Sequence, residues 1–140
     1  MRVVLDTNVV VSALIWGGTP FRLIQAATAG EIELYTSPVL LAELRAVLSR
    51  GHLAARLVEQ RSSVEEAIAL YGELAIRVSP LNTPRVVPGD ADDDHVVAAA
   101  VAARADLIVS GDKAHLIPLS SIDGISIVSP AQAVSLVQAG

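Results

Sequence analysis

The sequence predicts an α/β fold with a mainly parallel sheet, formed as a single domain over residues 1–140. Short apolar runs alternate with longer, alanine-rich stretches of helical character, which is the pattern of proteins whose parallel strands are joined by helices. The first run, 2–5, contains β-branched residues without a polar alternation, as expected for a strand that is covered on both faces. Hydrophobic residues make up 52% of the 140 residues, so the chain has enough apolar surface to bury one core.

Three of the predicted helices begin at a hydroxyl residue followed by proline. The hydroxyl residue supplies an N-cap, and proline suits the first helical position because an N–H there needs no intrahelical partner. The pairs are Thr19-Pro20, Ser37-Pro38 and Ser129-Pro130. The first helix is expected to stop at Gly30, and the second is expected to extend through Ser49 with leucines at helical spacing.

The remaining elements follow from apolar runs and from breaker residues. The predicted strands are 2–5, 33–36, 74–78, 107–109 and 125–128. Further helices are predicted over 8–15, 53–60, 63–73 and 90–104. Gly17-Gly18 ends the first of these helices, and Ser63 with Glu66 has the spacing of a capping box at the third. Two prolines and the lack of periodicity predict a loop over 82–89.

Composition excludes several classes of protein and of site. Cysteine is absent, which removes disulfides, thiolate zinc sites and cysteine nucleophiles. His52, His95 and His115 are too widely separated for the short ligand spacings of zinc sites. The net charge of −5 argues against the basic surface of a non-specific nucleic-acid binder, and aromatic residues at 3% leave little for a base-stacking platform. No uncharged apolar stretch reaches about 18 residues, so we expect neither a membrane span nor a signal peptide, and a cytoplasmic location.

Carboxylates fall where ligands bind in this class of fold. In an open parallel sheet, ligands bind outside the carboxyl ends of the strands. Asp6 closes the first strand, Asp112 follows the strand at 107–109, and four aspartates among residues 90–94 open the helix that leads into that strand. Glu43 lies one to two turns into the helix that follows the second strand. We expect these side chains to converge at one edge of the sheet.

Each of these acids also has a purely structural interpretation. Asp6 is placed to cap a helix, Glu43 to face solvent and Asp112 to form a turn. The acidic run complements a helix dipole, but one or two carboxylates suffice for that. Four in five residues repel one another unless a cation compensates for their charge. Asp106 and Asp123 precede strands and are assigned to turns at the opposite end of the sheet.

A set of carboxylates contributed by several elements forms a cage of hard oxygen ligands. Such a cage suits Mg²⁺ or Mn²⁺ rather than zinc. Two such ions ~3.5–4 Å apart can activate a water molecule and stabilise the leaving oxygen of a phosphodiester without a lysine or histidine base. The chemistry that the carboxylates indicate is therefore that of a hydrolytic nuclease.

Four motifs carry a resemblance to a known family. They are VLDTNV at 4–9, SPVLLAEL at 37–44, DADDDHVV at 90–97 and ADLIVSGDK at 105–113. In this order and spacing, over nearly the whole chain, the sequence resembles the PIN-domain ribonucleases, particularly the toxins of bacterial toxin–antitoxin pairs related to VapC. The resemblance implies a three-layer α/β/α fold and Mg²⁺-dependent cleavage of RNA.

The resemblance also implies the members of the acidic set. As catalytic residues and metal ligands they are Asp6, Glu43, Asp94 and Asp112. Asp93 is the alternative to Asp94, which we prefer because of the register of the apolar residues that follow it. Asn8 and Ser110, together with Asp93, are expected to orient the acids or the water.

Partners and substrate contacts complete the expected function. Proteins of this kind are usually dimers and are commonly neutralised by an antitoxin, whose Arg or Lys can enter the acidic cleft in place of the metal. Arg45, Arg50 and Lys113 are candidate contacts to RNA phosphates, and a solvated face is the alternative for the arginine group at 45, 50, 56 and 61. Where the family often has a further acid after Asp112, this chain has Lys113-Ala114-His115, which leaves open whether one or two metal ions bind.

Two rival classes fail on residue placement. A receiver-type signalling domain needs an acidic pair after the first strand and an aspartate at the end of the third, whereas Asp6 is single and Ser79-Pro80 follows the third strand. A phosphate-binding NTPase needs a glycine-rich Gly-Lys-Ser/Thr loop, which the sequence lacks. The serious alternative is a PIN-like module that binds RNA or protein with weak metal affinity and no turnover. Four acids in one cage would carry −4 of the net −5, so the remaining surface is nearly neutral and does not oppose RNA binding.

Overall fold

A computed structural model describes residues 1–80, 91–111, 121–122 and 124–139; for residues 91–93 and 122 it describes the backbone alone. The strands are β1 Arg2–Leu5, β2 Glu33–Thr36, β3 Ile76–Arg77, β4 Leu107–Val109, β5 Ser121–Ile122 and β6 Ile125–Val128. The helices are α1 Thr7–Ile15, α2 Gly18–Thr28, α3 Pro38–Leu48, α4 Gly51–Glu59, α5 Val64–Leu74, α6 Ala91–Ala103 and α7 Pro130–Ala139. Four of the five predicted strands, β1, β2, β4 and β6, have the expected bounds.

The strands form one sheet in the order β3-β2-β1-β4-β6-β5. Neighbouring strands are parallel except β5, which is antiparallel to β6. The register pairs Val4 of β1 with Tyr35 on one side and with Ile108 on the other. The prediction of a mainly parallel sheet is confirmed, and the ends of β2, β1, β4 and β6 meet at one carboxyl edge.

Helices cover both faces of the sheet, which confirms the three-layer architecture. On one face, Val3 and Leu5 of β1 pack into a core with α1 to α5 and α7. On the other face, Val4 packs with the apolar side of α6, where Ala99 and Ala100 let the helix approach the sheet closely. A helix that joins parallel strands runs antiparallel to them. The start of α6 therefore lies at the carboxyl edge of the sheet.

The Ser-Pro pairs start α3 and α7 as predicted. Ser37 Oγ accepts a hydrogen bond from Leu40 N at 3.2 Å. Ser129 Oγ accepts one from Gln132 N at 3.2 Å, and the Gln132 side chain accepts one from Ser129 N at 2.9 Å. Each serine thus satisfies an N–H group that a helix start leaves without an intrahelical partner.

Thr19 does not cap α2, contrary to the prediction. The helix begins at Gly18, its N-cap is Gly17 with a φ of 75°, and Pro20 lies inside the first turn. Glycine adopts this left-handed conformation at little cost, and the N–H that proline lacks needs no partner in the first turn. Among the described residues no single helix is long and apolar enough to cross a membrane; α1 and α2 meet that test of length and composition only together, as a pair bent by 95°.

The two edge strands differ from the prediction. β3 covers only Ile76–Arg77 instead of 74–78, because α5 continues through Leu74. β5 was not expected, and it pairs with β6 across a turn in which Gly124 has a φ of 78°. Each of these strands has two residues. The predicted loop over 82–89 lies outside the described residues.

Candidate active site at the carboxyl edge of the sheet

One polar residue directly follows each of four neighbouring strands. Ser37 follows β2, Asp6 follows β1, Ser110 follows β4 and Ser129 follows β6. The backbone N–H groups of Asp6 and Ser110 both donate to a carbonyl oxygen of the next strand at 2.9 Å. Because neighbouring strands lie ~4.8 Å apart, the continued pairing holds these residues in a row, which we call the edge row.

Asp6 occupies the N-cap position of α1, but its side chain does not cap the helix. Its backbone is extended, with φ −60° and ψ 148°, and its carboxylate makes no hydrogen bond to the N–H groups of the first turn. Instead, Asp6 Oδ2 accepts a hydrogen bond from Ser110 Oγ at 3.0 Å. Asp6 is 6% exposed and Ser110 is fully buried. The structure thus excludes the interpretation of Asp6 as only a helix cap.

Asp94 lies at the end of the first turn of α6 and is fully buried. One turn later, Val97 packs in the core between α6 and the sheet. α6 contacts β1, β2 and β4, and because it runs antiparallel to them, its start lies toward their carboxyl ends. Asp94 is therefore placed beside the edge row. The side chains of Asp92 and Asp93, the neighbouring candidates, lie outside the described residues.

Glu43 is partly buried on α3. It lies three residues after Leu40, so the two side chains share one side of the helix, and Leu40 packs in the same core as Val97 of α6. This places Glu43 on the side of α3 that faces α6. Arg45 lies about 200° around the helix from Glu43 and forms an ion pair with Glu65 of α5. The side chains of Glu43 and Arg45 therefore leave α3 on different sides of the helix.

The other predicted site residues are exposed or lie outside the described residues. Asn8 is exposed in the first turn of α1. Arg50 is exposed at the start of α4, beyond the far end of α3, a helix about 16 Å long. Asp112 and Lys113 are not among the described residues. Asp106, assigned to a turn, lies at the opposite edge of the sheet, where its Oδ2 accepts a backbone hydrogen bond at 2.8 Å.

The described acids have the donor chemistry of a hard-metal site. Asp6, Asp94 and Glu43 offer only carboxylate oxygens, which fit Mg²⁺ or Mn²⁺. Two of them are buried at the same edge of the sheet, where a cation stabilises negative charge. Within the described ranges, no group of three or more His, Cys, Asp or Glu residues is arranged to hold a metal ion. The fit to a divalent metal thus rests on the chemistry of the carboxylate donors, and the expected fourth ligand, Asp112, lies outside those ranges.

A cleft of about 180 Å³ adjoins the edge row on the β3 side. Its lining residues are Ser37, Pro38, Val39, Ser79, Pro80, His95 and Ala98. His95 and Ser79 were not predicted as site residues. The sequence signal that could have identified His95 is its place directly after Asp94. Ser79 had no such signal, because it follows the edge strand β3, whose bounds were predicted incorrectly. We call this cavity the His95 cleft.

Comparison with known proteins shows the family to which the chain belongs. A family model described as PIN domain matches residues 2–114. The uncharacterized protein MJ1680 of Methanocaldococcus jannaschii is 30% identical over 114 residues, which cover 81% of this chain and 72% of the relative. The region matched by the family model contains the four predicted acids, Asp6, Glu43, Asp94 and Asp112. The chain belongs to the PIN domain family, whose members are generally nucleases.

Proposed function

We propose that this protein is an endoribonuclease that hydrolyses RNA phosphodiester bonds with Mg²⁺ or Mn²⁺. The observation that carries the proposal is the position of Asp6, which ends the central strand β1, accepts a hydrogen bond from Ser110 at 3.0 Å and does not cap α1. Asp94 is buried near the start of α6, and Glu43 lies on α3, three residues after Leu40, which packs in the same core as α6. Divalent metals and RNA binding are general features of PIN nucleases, which supports this choice of cofactor and substrate.

The proposed mechanism assigns the metal to the acidic set. The ligands would be Asp6, Glu43, Asp94 and Asp112, with Asp93 as an alternative or additional ligand. When bound, a divalent metal activates the attacking water and stabilises charge on the leaving oxygen. Ser110 donates to Asp6 and so holds its carboxylate in one orientation. Asn8, exposed in the first turn of α1, is proposed to orient the water or the substrate.

We further propose that the protein is the toxin of a toxin–antitoxin pair, acts as a homodimer and is cytoplasmic. The support is the resemblance of the four sequence motifs to those of VapC-related toxins. An antitoxin that places an Arg or Lys beside Asp6 and Asp94 would replace the charge of the metal and block the site. Sedimentation measurements test whether the protein is a dimer in solution. Addition of the antitoxin to an RNA cleavage assay should stop cleavage.

A PIN-like module that binds RNA or protein without turnover is the second candidate. It is favoured by the finding that the described residues alone do not form a three-ligand metal group. It is also favoured by the stretch Lys113-Ala114-His115, because the family often has a further acid shortly after Asp112. Such a module would bind RNA with or without metal and leave it intact.

Cleavage assays with the purified protein separate the two candidates. Single-stranded and structured RNAs are incubated with Mg²⁺, with Mn²⁺ and with EDTA, and each condition is repeated with Asp6→Asn protein. We expect cleavage only by the wild-type protein and only with a divalent metal. Cleavage that survives both EDTA and Asp6→Asn would overturn the proposal. RNA binding without cleavage in every metal condition would favour the binding module.

A further inference from the structure

The His95 cleft has no part in the proposed cleavage chemistry, but its lining has a consistent character. Its apolar walls are Pro38, Val39, Pro80 and Ala98. Its polar groups are the hydroxyls of Ser37 and Ser79 and the ring of the half-buried His95. No lysine, arginine, aspartate or glutamate is among these described lining residues. The described lining thus fits a flat ligand with a polar edge.

The size of the cleft limits its occupant. The cleft has a volume of about 180 Å³. Sites for drug-sized ligands and cofactors are larger, at ~300–1,000 Å³. A single heteroaromatic ring system fits this volume. Of the groups in RNA, the nucleobase matches both the size and the lining chemistry.

The position of the cleft relates it to the carboxylates. His95 directly follows Asp94, so their Cα atoms are ~3.8 Å apart. Ser37, which lines the cleft, is the neighbour of Asp6 in the edge row, and neighbouring strands are ~4.8 Å apart. An RNA phosphate at the carboxylates therefore has its own base or the next base within reach of the cleft.

We infer that the His95 cleft binds the base of a nucleotide next to the scissile phosphate. The His95 ring contacts the face of the base, as side-chain rings do in single-stranded RNA recognition, and the Ser79 hydroxyl hydrogen-bonds to its edge. Stacking accepts every base because every base has a π-face, so the cleft positions the strand without selecting a sequence. The inference rests on the proposed function for the identity of the neighbouring phosphate.

A nucleotide titration tests the cleft without requiring cleavage. AMP and UMP are added to ¹⁵N-labelled full-length protein with Mg²⁺ present, and the amide resonances of Ser79 and His95 are followed. Ribose 5-phosphate, which lacks only the base, is the matched ligand. We expect both nucleotides to shift the two resonances, with an affinity about tenfold above that of ribose 5-phosphate, as one base–ring stack provides. Equal affinities, or no shift at Ser79 and His95, would overturn the inference.

Variants of His95 separate the loss of the ring from any loss of folding. His95→Ala removes the ring and places a good helix former in α6, whereas His95→Phe restores an aromatic face. We expect the preference for AMP over ribose 5-phosphate to fall below about twofold in His95→Ala and to return in His95→Phe. His52→Ala, at an exposed position of α4, is the control and should keep the wild-type preference. An unchanged preference in His95→Ala would reject the assignment to this cleft.

RNA cleavage kinetics distinguish a failure of this inference from a failure of the proposed function. His95→Ala should raise the KM for RNA about tenfold with little change in kcat, because a base contact is made equally in the ground state and the transition state. An unchanged KM in a protein that cleaves RNA counts against the cleft and leaves the ribonuclease proposal intact. Base-dependent shifts in a protein that cleaves no RNA would reject the ribonuclease and keep the cleft as a nucleotide site.

Discussion

The N-cap positions after β1 and after β6 occupy equivalent places in the fold and use their side chains differently. Ser129, after β6, forms a reciprocal pair of hydrogen bonds with Gln132 and completes the start of α7. Asp6, after β1, is an equally good capping residue type, yet its carboxylate accepts from Ser110 on the neighbouring strand. The comparison shows that the need to cap the start of α1 does not determine the role of the Asp6 side chain.

The position in the sheet explains this difference. Asp6 and Ser110 lie in the interior of the edge row, after the two middle strands, whereas Ser129 lies at its end. Asp6 and Ser110 are buried, whereas Ser129 is partly exposed. Burying a carboxylate is unfavourable, and here it brings no capping bond to α1. A local rule that is broken at a buried carboxylate is typical of a functional residue.

The largest expected effect is the loss of activity in Asp6→Asn. Asparagine keeps the size of the side chain and caps helices well, but it lacks the charge that would bind a metal. Metal catalysis contributes several kcal/mol to transition-state stabilisation, so we expect RNA cleavage to fall about a thousandfold or more. The free energy of unfolding should change by less than ~1 kcal/mol. Cleavage rates with Mg²⁺ and urea unfolding curves measure the two quantities.

Stabilisation by metal provides the control for Asp6→Asn. At a Mg²⁺ concentration 100 times its Kd, binding should stabilise the wild-type protein by ~2.7 kcal/mol. The Asp6→Asn protein should show little of this gain at the same concentration. If the variant instead loses several kcal/mol of stability without metal, the carboxylate has a structural role and the contrast with Ser129 fails.

The next largest effect on activity is expected among the aspartates of residues 90–94. Asp94→Asn should reduce kcat/KM about a hundredfold, and Asp92→Asn should reduce it less. Asp94 is fully buried near the start of α6, and the register of the apolar residues that follow it predicts that it, rather than Asp93, belongs to the acidic set. Parallel cleavage assays on the two variants check the order. A greater loss in Asp92→Asn would show that this register is wrong.

Most of the fold was predictable because its signals are local. The bounds of β1, β2, β4 and β6 follow from short apolar runs, and the caps at Ser37 and Ser129 follow from Ser-Pro pairs. Thr19 was predicted incorrectly because Gly17 and Gly18 provide an earlier start for α2. β5 was missed because its pairing with β6, and not its own sequence, makes it a strand.

The site was predictable only where it depends on strand ends. Placing Asp6 at a binding edge needs no more than a buried parallel strand before it. Its hydrogen bond with Ser110 depends on the pairing of β1 with β4, which joins residues 104 positions apart and has no local signal. The His95 cleft likewise forms only when Ser79 after β3 meets α6. Sequence spacing thus identifies the polar groups, and topology decides which of them meet.

Removing the Ser110 hydroxyl, which donates to Asp6, is expected to have a smaller effect than removing the charge of Asp6. Ser110→Ala deletes the hydroxyl that donates to Asp6 Oδ2 at 3.0 Å and keeps the backbone bond to β6. Groups that orient a metal ligand typically contribute 10–100-fold, so we expect kcat/KM to fall about tenfold at limiting Mg²⁺. Saturating Mg²⁺ should restore most of the rate. A loss that no Mg²⁺ concentration restores would mean that Ser110 acts on the substrate instead of on Asp6.

The smallest effect is expected at Ser129, the N-cap residue with which Asp6 was compared. Ser129→Ala removes the hydroxyl that accepts from Gln132 N at 3.2 Å, and losing an N-cap lowers the free energy of unfolding by about 1 kcal/mol. The kcat/KM of the folded protein should not change, because α7 contributes no acid to the proposed site. Ser129→Asn supplies another cap and should recover the stability in urea unfolding. If Ser129→Ala lowered kcat/KM as much as Ser110→Ala, the edge row would act as one unit, and the distinction between its capping and functional positions would not hold.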